Sequence, residues 1–283
     1  MTPDLSPDPS AHWRSLVAGR DTQRGTDQRD GDPVRDPWIG RAGRFAAYSA
    51  ELAPDDPLFL RLRAIVRPAD TVLDVGAGAG RYAVPLAGLA RMVTAVEPSP
   101  AMRRHLAARL DAAGVDNVAV VGATWPDAEV APADVTLCAH VVYGVREILP
   151  FLRALDQHTR RLCLIAIRVE QHPGMIELAR LTLDEERVRQ PALIDLYNAL
   201  AALDIAADVR IGPVSSGFRF ADHADAAAHY ADRLRLPTNG EPLERLHAAL
   251  ATHLIQGRDG RWRWPGPPPR NAIVSWTPEQ EGE

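Results

Sequence analysis

The sequence predicts an α/β fold: a doubly wound, mostly parallel seven-stranded sheet with an N-terminal helical cap and a C-terminal helical insertion. Three observations point there. The run Thr71-Val72-Leu73-Asp74-Val75 is apolar and β-branched and ends against the alternating glycines Gly76, Gly78 and Gly80, the pattern of a buried strand passing through a tight turn. A second run, Met92-Val93-Thr94-Ala95-Val96, follows after one helix-length interval and ends in Glu97; strands alternating with helical stretches build parallel βαβ units. Leu162-Cys163-Leu164-Ile165-Ala166-Ile167 is apolar on both faces, as a central strand covered by helices requires.

Taken in order, residues 1–36 are rich in Asp, Pro, Gly, Gln and Arg and read as a flexible arm, interrupted by Trp13, Leu16 and Val17 at helical spacing. Asp36-Pro37 supplies an N-cap and a first-turn proline for a helix to about Leu52, within a cap over 37–59. Trp38, Ala42 and Phe45 fall on one face of it, and Arg41, Arg44 and Tyr48 on another. The second face suits a solvated surface and a substrate-facing cap equally well. Trp38, Arg44 and Tyr48 are therefore candidate substrate residues.

Residues 60–169 form the expected core. Its helices run from Arg81 to Ala90 with Pro85 near the start, from the N-cap Ser99 and Pro100 to about Ala112, and from Arg146 to Thr159 with an interruption at Pro150. Its further strands are Asn117–Val121 and Asp134–Ala139. Residues 170–283 complete the sheet with Ala207–Gly212 and Ala272–Trp276. They add a charged helix from Pro173 to Arg189, a leucine-striped helix from Pro191 to Leu203, helices over 221–234 and 242–254, and a Trp/Pro-rich connection from Arg261 to Pro269. So long a connection before the last strand suits a substrate wall or a homodimer contact.

Composition removes many rivals. The 283 residues include no lysine, which excludes the P-loop, protein-kinase and Schiff-base chemistries that need a primary amine. Two cysteines are too few for a Cys₄ zinc site or an all-cysteine iron–sulfur cluster. Cys138 and Cys163 fall inside expected strands as buried thiols. The histidines lack ligand spacing; His223 and His229 share a helix but are neither i+3 nor i+4, so no metal is expected. A net charge of −5 gives no electrostatic footprint for nucleic acid. With no N-terminal apolar core and no run of the ~20 apolar residues a membrane helix needs, the protein is expected to be soluble and cytoplasmic. Abundant Ala, Arg and Pro without Lys fits GC-rich bacterial coding.

The glycine turn decides between cofactors. A dinucleotide fingerprint reads G-x-G-x-x-G with a ribose-binding acid about 20 residues on. Here the turn reads G-x-G-x-G, position 81 is Arg, and Asp74 aims a carboxylate at the ligand, which repels a pyrophosphate and welcomes an ammonium group. On these residues the chain resembles the class I S-adenosylmethionine-dependent methyltransferases, from about Leu60 to Val169 and less closely beyond. The resemblance implies the Rossmann-like fold of that family and S-adenosylmethionine as cofactor, with S-adenosylhomocysteine as product. It implies that Asp74 acts near the methionine amino group, that Gly76, Gly78 and Gly80 line the methionine, that Glu97 takes the ribose hydroxyls, and that Pro98 and Met102 lie against adenine. Where the family usually places an acid after the third strand, this chain has Gly122-Ala123-Thr124-Trp125. The adenine contact then passes to backbone groups, Thr124 or Asp127, with Trp125 packed alongside.

His140-Val141-Val142-Tyr143 resembles the segment that faces the methionine and the acceptor in small-molecule members. His140 is the candidate general base and Tyr143 its assistant, since one positioned histidine contributes about 10²- to 10⁴-fold; a histidine packed under the cofactor is the competing reading. The expected function is methyl transfer to oxygen or nitrogen of a small molecule. Two rivals stand beside it: a nucleic-acid methyltransferase, disfavoured by the net charge and by Ala139-His140-Val141-Val142 in place of an Asp/Asn-Pro-Pro-aromatic motif, and a cofactor-binding protein without transferase activity.

Overall fold

The computed structural model describes residues 8–23, 36, 38, 39, 42, 43, 46, 52–171, 173–213, 219–266 and 269–279. Pro37, Arg41, Arg44, Phe45 and Tyr48, on which much of the cap reading rests, lie outside the described residues.

In chain order the described strands are β1 (Thr71–Val75), β2 (Met92–Val96), β3 (Val118–Val121), β4 (Ala133–Ala139), β5 (Thr159–Arg168), β6 (Asp208–Pro213), β7 (Arg219–Phe220), β8 (Ile255–Gln256), β9 (Trp262–Arg263) and β10 (Arg270–Trp276). The helices are α1 (Pro9–Gln23), α2 (Pro57–Ile65), α3 (Ala83–Ala87), α4 (Pro100–Ala113), α5 (Ile148–Gln157), α6 (Pro173–Leu183), α7 (Leu193–Ala201), α8 (His223–Leu234) and α9 (Glu241–His253). Seven strands form one sheet in the order β3-β2-β1-β4-β5-β10-β6. Pairings from β3 through β5 are parallel, and β10 runs antiparallel to both of its neighbours. This is the expected doubly wound sheet, with apolar clusters on both faces: Val75, Val96, Cys138 and Leu152 on one, Val72, Leu86, Leu106 and Leu137 on the other.

The order reverses at β1, which has β2 on one side and β4 on the other, and a crevice opens at the carboxyl ends there. Asp74 pairs in register with Ala95 of β2 and Leu137 of β4. It therefore stands at the floor of that crevice.

Several elements differ from expectation, each for a local reason. Residues 9–23 form α1 instead of a mobile arm: Trp13 and Val17 are fully buried, and the Trp13 indole N–H donates to the Val145 carbonyl at 2.7 Å. Burial of an indole and one apolar turn outweighs the polar composition of the arm. The helix expected over 81–90 shrinks to α3, because Arg81 is drawn to Asp56 at 3.2 Å and the chain tightens after Leu86 at Gly88. Pro150 does not interrupt α5. It falls in the first turn of a helix that begins at Ile148, where its missing N–H has no intrahelical partner to lose. The charged helix stops at Leu183 because Asp184 turns left-handed, φ 54°, leaving 184–192 as an extended strap. Helix α2 was not anticipated, although Asp56 and Pro57 are the same N-cap device noted at Asp36-Pro37; the Asp56 carboxylate accepts from Phe59 N at 2.9 Å.

Beyond the main sheet, β7, β9 and β8 make a small antiparallel sheet. With α6, α8 and α9 it encloses a separate core of Met175, Leu178, Phe220, Tyr230, Leu246 and Leu250. The Trp/Pro-rich connection is thus part of a built satellite. Among the described residues no helix is long and apolar enough to cross a membrane.

Candidate active site

The crevice floor is acidic and the turn above it is closed except at one point. Asp74 is 2% exposed, and its Oδ2 has no hydrogen-bond partner. Burial, and then the nearby Glu97 charge, push its pKa up to about 7 against one backbone hydrogen bond from Ala83. Gly76, Gly78 and Gly80 all have positive φ, 75°, 58° and 82°. A Cβ on Gly76 would lie 2.3 Å from Val141 Cγ2, and one on Gly80 2.4 Å from Leu106 Cδ1, so those two glycines admit the protein's own side chains. A Cβ on Gly78 meets nothing within 4 Å. Gly78 alone of the three faces open space.

Glu97 closes the turn from β2. Its Oε2 accepts from Gly78 N and its Oε1 from Ser99 N, each at 2.8 Å. Burial raises its pKa, and those two N–H groups act in the opposite sense. Ser99 caps α4 by accepting from Met102 N at 3.1 Å. Met102 and Ala101 pack with Ala79, and Ala42, Ala46 and Trp38 lie against this cluster. Trp38 therefore sits beside Met102 and the glycine turn.

After β3, Gly122 lies against the Arg103 side chain. The Arg103 guanidinium donates to the Glu97 and Pro98 carbonyls at 2.8 and 2.7 Å, and a Cβ at 122 would stand 2.8 Å from its carbon. Thr124 donates to Asp127 at 3.2 Å. Trp125 turns elsewhere: its N–H donates to the Phe151 carbonyl at 3.2 Å and its ring meets His158 edge-on at 4.9 Å. These contacts belong to the packing of the β3–β4 connection against α5.

Across the crevice, His140 ends β4 in a left-handed conformation, φ 60°, with its N–H on the Ala166 carbonyl at 2.9 Å. Its Nδ1 is 3.0 Å from the Tyr143 hydroxyl, and its Nε2 is 3.2 Å from Asn271 Nδ2 of β10. The Tyr143 hydroxyl also accepts from Arg168 N at 2.9 Å. With Asn271 Nδ2 donating to Nε2, the ring is the Nδ1–H tautomer that donates to the Tyr143 hydroxyl, and both ring nitrogens are engaged by protein groups. His140 is exposed. Desolvation, then the cations Arg168, Arg81 and Arg233, hold its pKa below the ordinary histidine value.

Residues 72–162 match the model of a family described as a methyltransferase domain. Over those residues the chain carries a methyltransferase domain. Its fold is shared with the YcgJ protein of Bacillus subtilis, 16% identical over 80% of this chain and 98% of that one, with a TM-score of 0.56. A putative methyltransferase from Bacillus halodurans is similar at 11% identity, 80% and 100% coverage and a TM-score of 0.55. A chain of the complex between the Haloferax volcanii Trm112 methyltransferase activator and the putative methyltransferase is 13% identical over 88% and 100%, with a TM-score of 0.55. At these identities the likeness is one of fold. A comparison with curated protein sequences gives no match.

Several residues that no motif announced hold the segment after β4. Asn271 holds His140 from a strand 131 residues away. Helix α1 braces the loop after β4, with Arg20 Nη1 donating to the Tyr143 carbonyl at 2.5 Å and Trp13 to Val145. The only sequence signal for α1 is the helical spacing of Trp13, Leu16 and Val17.

Proposed function

We propose that the protein transfers a methyl group from S-adenosylmethionine to an oxygen or nitrogen of a small molecule. The observation that carries the cofactor reading is the unpartnered Asp74 Oδ2, buried beside the open face of Gly78. A buried acceptor left without a donor costs on the order of 1–3 kcal/mol, and an ammonium group supplies the missing donor. Asp74 receives the amino group of the methionine moiety. Gly78 lets the backbone approach it, while Gly76 and Gly80 hold the turn's shape. Glu97 keeps lone pairs for the ribose hydroxyls while its two backbone donors fix its orientation. Pro98, Met102 and Trp38 border adenine, with backbone groups near Gly122 or Thr124 at its amino edge.

When bound, the cofactor supplies an electrophilic methyl on an already activated leaving group. The chain's own task is then to position the acceptor and exclude water. With both ring nitrogens engaged, His140 acts with Tyr143 as a positioning pair on the acceptor side. The net charge of −5 supports a small molecule over a nucleic acid.

The test is to incubate the protein with a metabolite extract and methyl-labelled cofactor and to follow the label by mass spectrometry. One labelled small molecule is the expected product; label that enters only RNA or DNA, or none with the cofactor bound intact, refutes the reading. In the same assay His140→Asn should keep turnover within about tenfold. A loss of 10² or more would make the imidazole a base.

A further inference from the structure

The seven-stranded sheet ends at β6, and among the described residues no strand pairs with the outer side of that strand. Edge strands of monomeric proteins are kept short, bulged or blocked by inward-facing charge, because their free N–H and C=O groups otherwise template a second chain. β6 has six residues, Asp208–Pro213, in unbroken antiparallel register with β10, from Asp208 opposite Ser275 to Pro213 opposite Arg270. Only the last of them lacks an N–H. Asp208 through Ile211 are all exposed, Val209 by 37% and Ile211 by 51%. Two β-branched apolar side chains therefore stand in water on a strand with one neighbour.

Alternation sorts these four residues by face. Val209 and Ile211 lie opposite Val274 and Ala272, on the face that carries the cluster with Leu152 and Leu196, while Asp208 and Arg210 lie opposite Ser275 and Ile273 on the other. Among the described residues neither Asp208 nor Arg210 makes an ion pair. A strand that meets a second copy of itself antiparallel, about a two-fold axis normal to the sheet, keeps both faces continuous and pairs positions symmetric about one central residue. With Val209 at the centre, Asp208 falls opposite the partner's Arg210 and Arg210 opposite the partner's Asp208. Val209 then meets its own equivalent, and Ile211 meets the partner's Ala207. Moving the centre by one residue sets Asp208 against Asp208, or Arg210 against Arg210. Like charges directly opposite destabilise a strand pair and unlike charges support it, so the charges of β6 select one register. The opposite edge of the sheet has no such code: β3 is four residues, Val118–Val121, without a charge.

We propose that the protein forms a two-fold dimer through antiparallel pairing of β6 with β6 of a second copy, centred on Val209, which joins the two seven-stranded sheets into one. β6 is antiparallel to β10 and β10 to β5, so β6 runs with the parallel strands. Pairing it with an inverted copy opens the two crevices at opposite edges of the joined sheet. The crevices are then independent, and the interface stands whether or not the methyl-transfer reading does.

Sedimentation of the full-length protein between about 1 and 100 μM, the range of weak to moderate interfaces, should show a reversible monomer–dimer equilibrium. Arg210→Asp and Asp208→Arg each set like charges opposite one another at both pairs and should weaken the dimer at least about tenfold. The double exchange, Asp208→Arg with Arg210→Asp, rebuilds both pairs and should recover wild-type dimerisation within about threefold. An equimolar mixture of the two single variants should form the mixed dimer. All four positions of substitution are exposed, and circular dichroism verifies that each variant is folded. A wild type that stays monomeric at about 100 μM, a dimer indifferent to both single variants, or a double exchange and a mixture that both fail to restore pairing overturns the edge interface.

Discussion

The two sides of the crevice are built in opposite ways. On the β1–β2 side, Asp74 and Glu97 are buried carboxylates at the tips of adjacent strands, joined through one glycine turn only 19 residues from Glu97 at Gly78. On the other side, the bonds that hold His140, Tyr143 and the strap around Arg187 span 123 to 165 residues of chain. The contrast teaches a division of labour. The β1–β2 half is set by signals local in the sequence, and the half around His140 by contacts that only the tertiary fold makes.

If the halves are separable, each can be broken without the other. Trp13→Ala should have the largest energetic effect. It removes a fully buried indole and its hydrogen bond to Val145, a loss of about 3–5 kcal/mol in unfolding free energy, measurable by urea denaturation. At temperatures where the variant remains folded, turnover of the acceptor should fall while cofactor affinity stays within about threefold. A parallel collapse of cofactor affinity would show that α1 supports both halves and that the division is false.

Gly78→Val breaks the acidic half. The variant places a β-branched side chain at φ 58°, which costs about 1–2 kcal/mol in backbone strain, and its methyls fill the open space before the turn. Calorimetry should show cofactor affinity reduced at least about 100-fold, equivalent to ~2.7 kcal/mol, with the fold kept. Retained cofactor affinity would mean that the ligand does not approach the chain at Gly78.

The same contrast explains what the sequence disclosed. The sheet and the acidic half were legible because their signals are local: apolar runs of strand length, glycines at alternate positions, and the Ser99-Pro100 cap each act within a few residues. The half around His140 was not. Trp13 looks like a lone aromatic in a polar arm until Val145 is placed above it, and Arg187 looks like one charge in a helical stretch until Asp184 ends the helix and Gln23 clamps the strap. Trp125 shows the converse. Its position after β3 suggested adenine, and its choice of the Phe151 carbonyl depends on where α5 packs. Gly122 was visible as a departure from the family's usual acid, but the Arg103 guanidinium that lies beside it comes from 19 residues back.

The central claim is that Asp74 is the seat of a cationic group of S-adenosylmethionine, and its raised pKa gives that claim a sign. With its folded pKa near 7 and above the ordinary carboxylate value, the stability Asp74 contributes to the cofactor-free protein is fully present below about pH 4 and lost as pH rises through about 7. A bound ammonium favours the ionised carboxylate, so binding below pH 7 must expel a proton. The decisive measurement is S-adenosylmethionine affinity by calorimetry from pH 5.5 to 8.5 for wild type and Asp74→Asn. The wild-type affinity should weaken about tenfold per pH unit below about 7, and Asp74→Asn should bind more weakly above pH 7 and lose that dependence. A wild-type affinity independent of pH, or the same pH dependence in Asp74→Asn, would contradict the account.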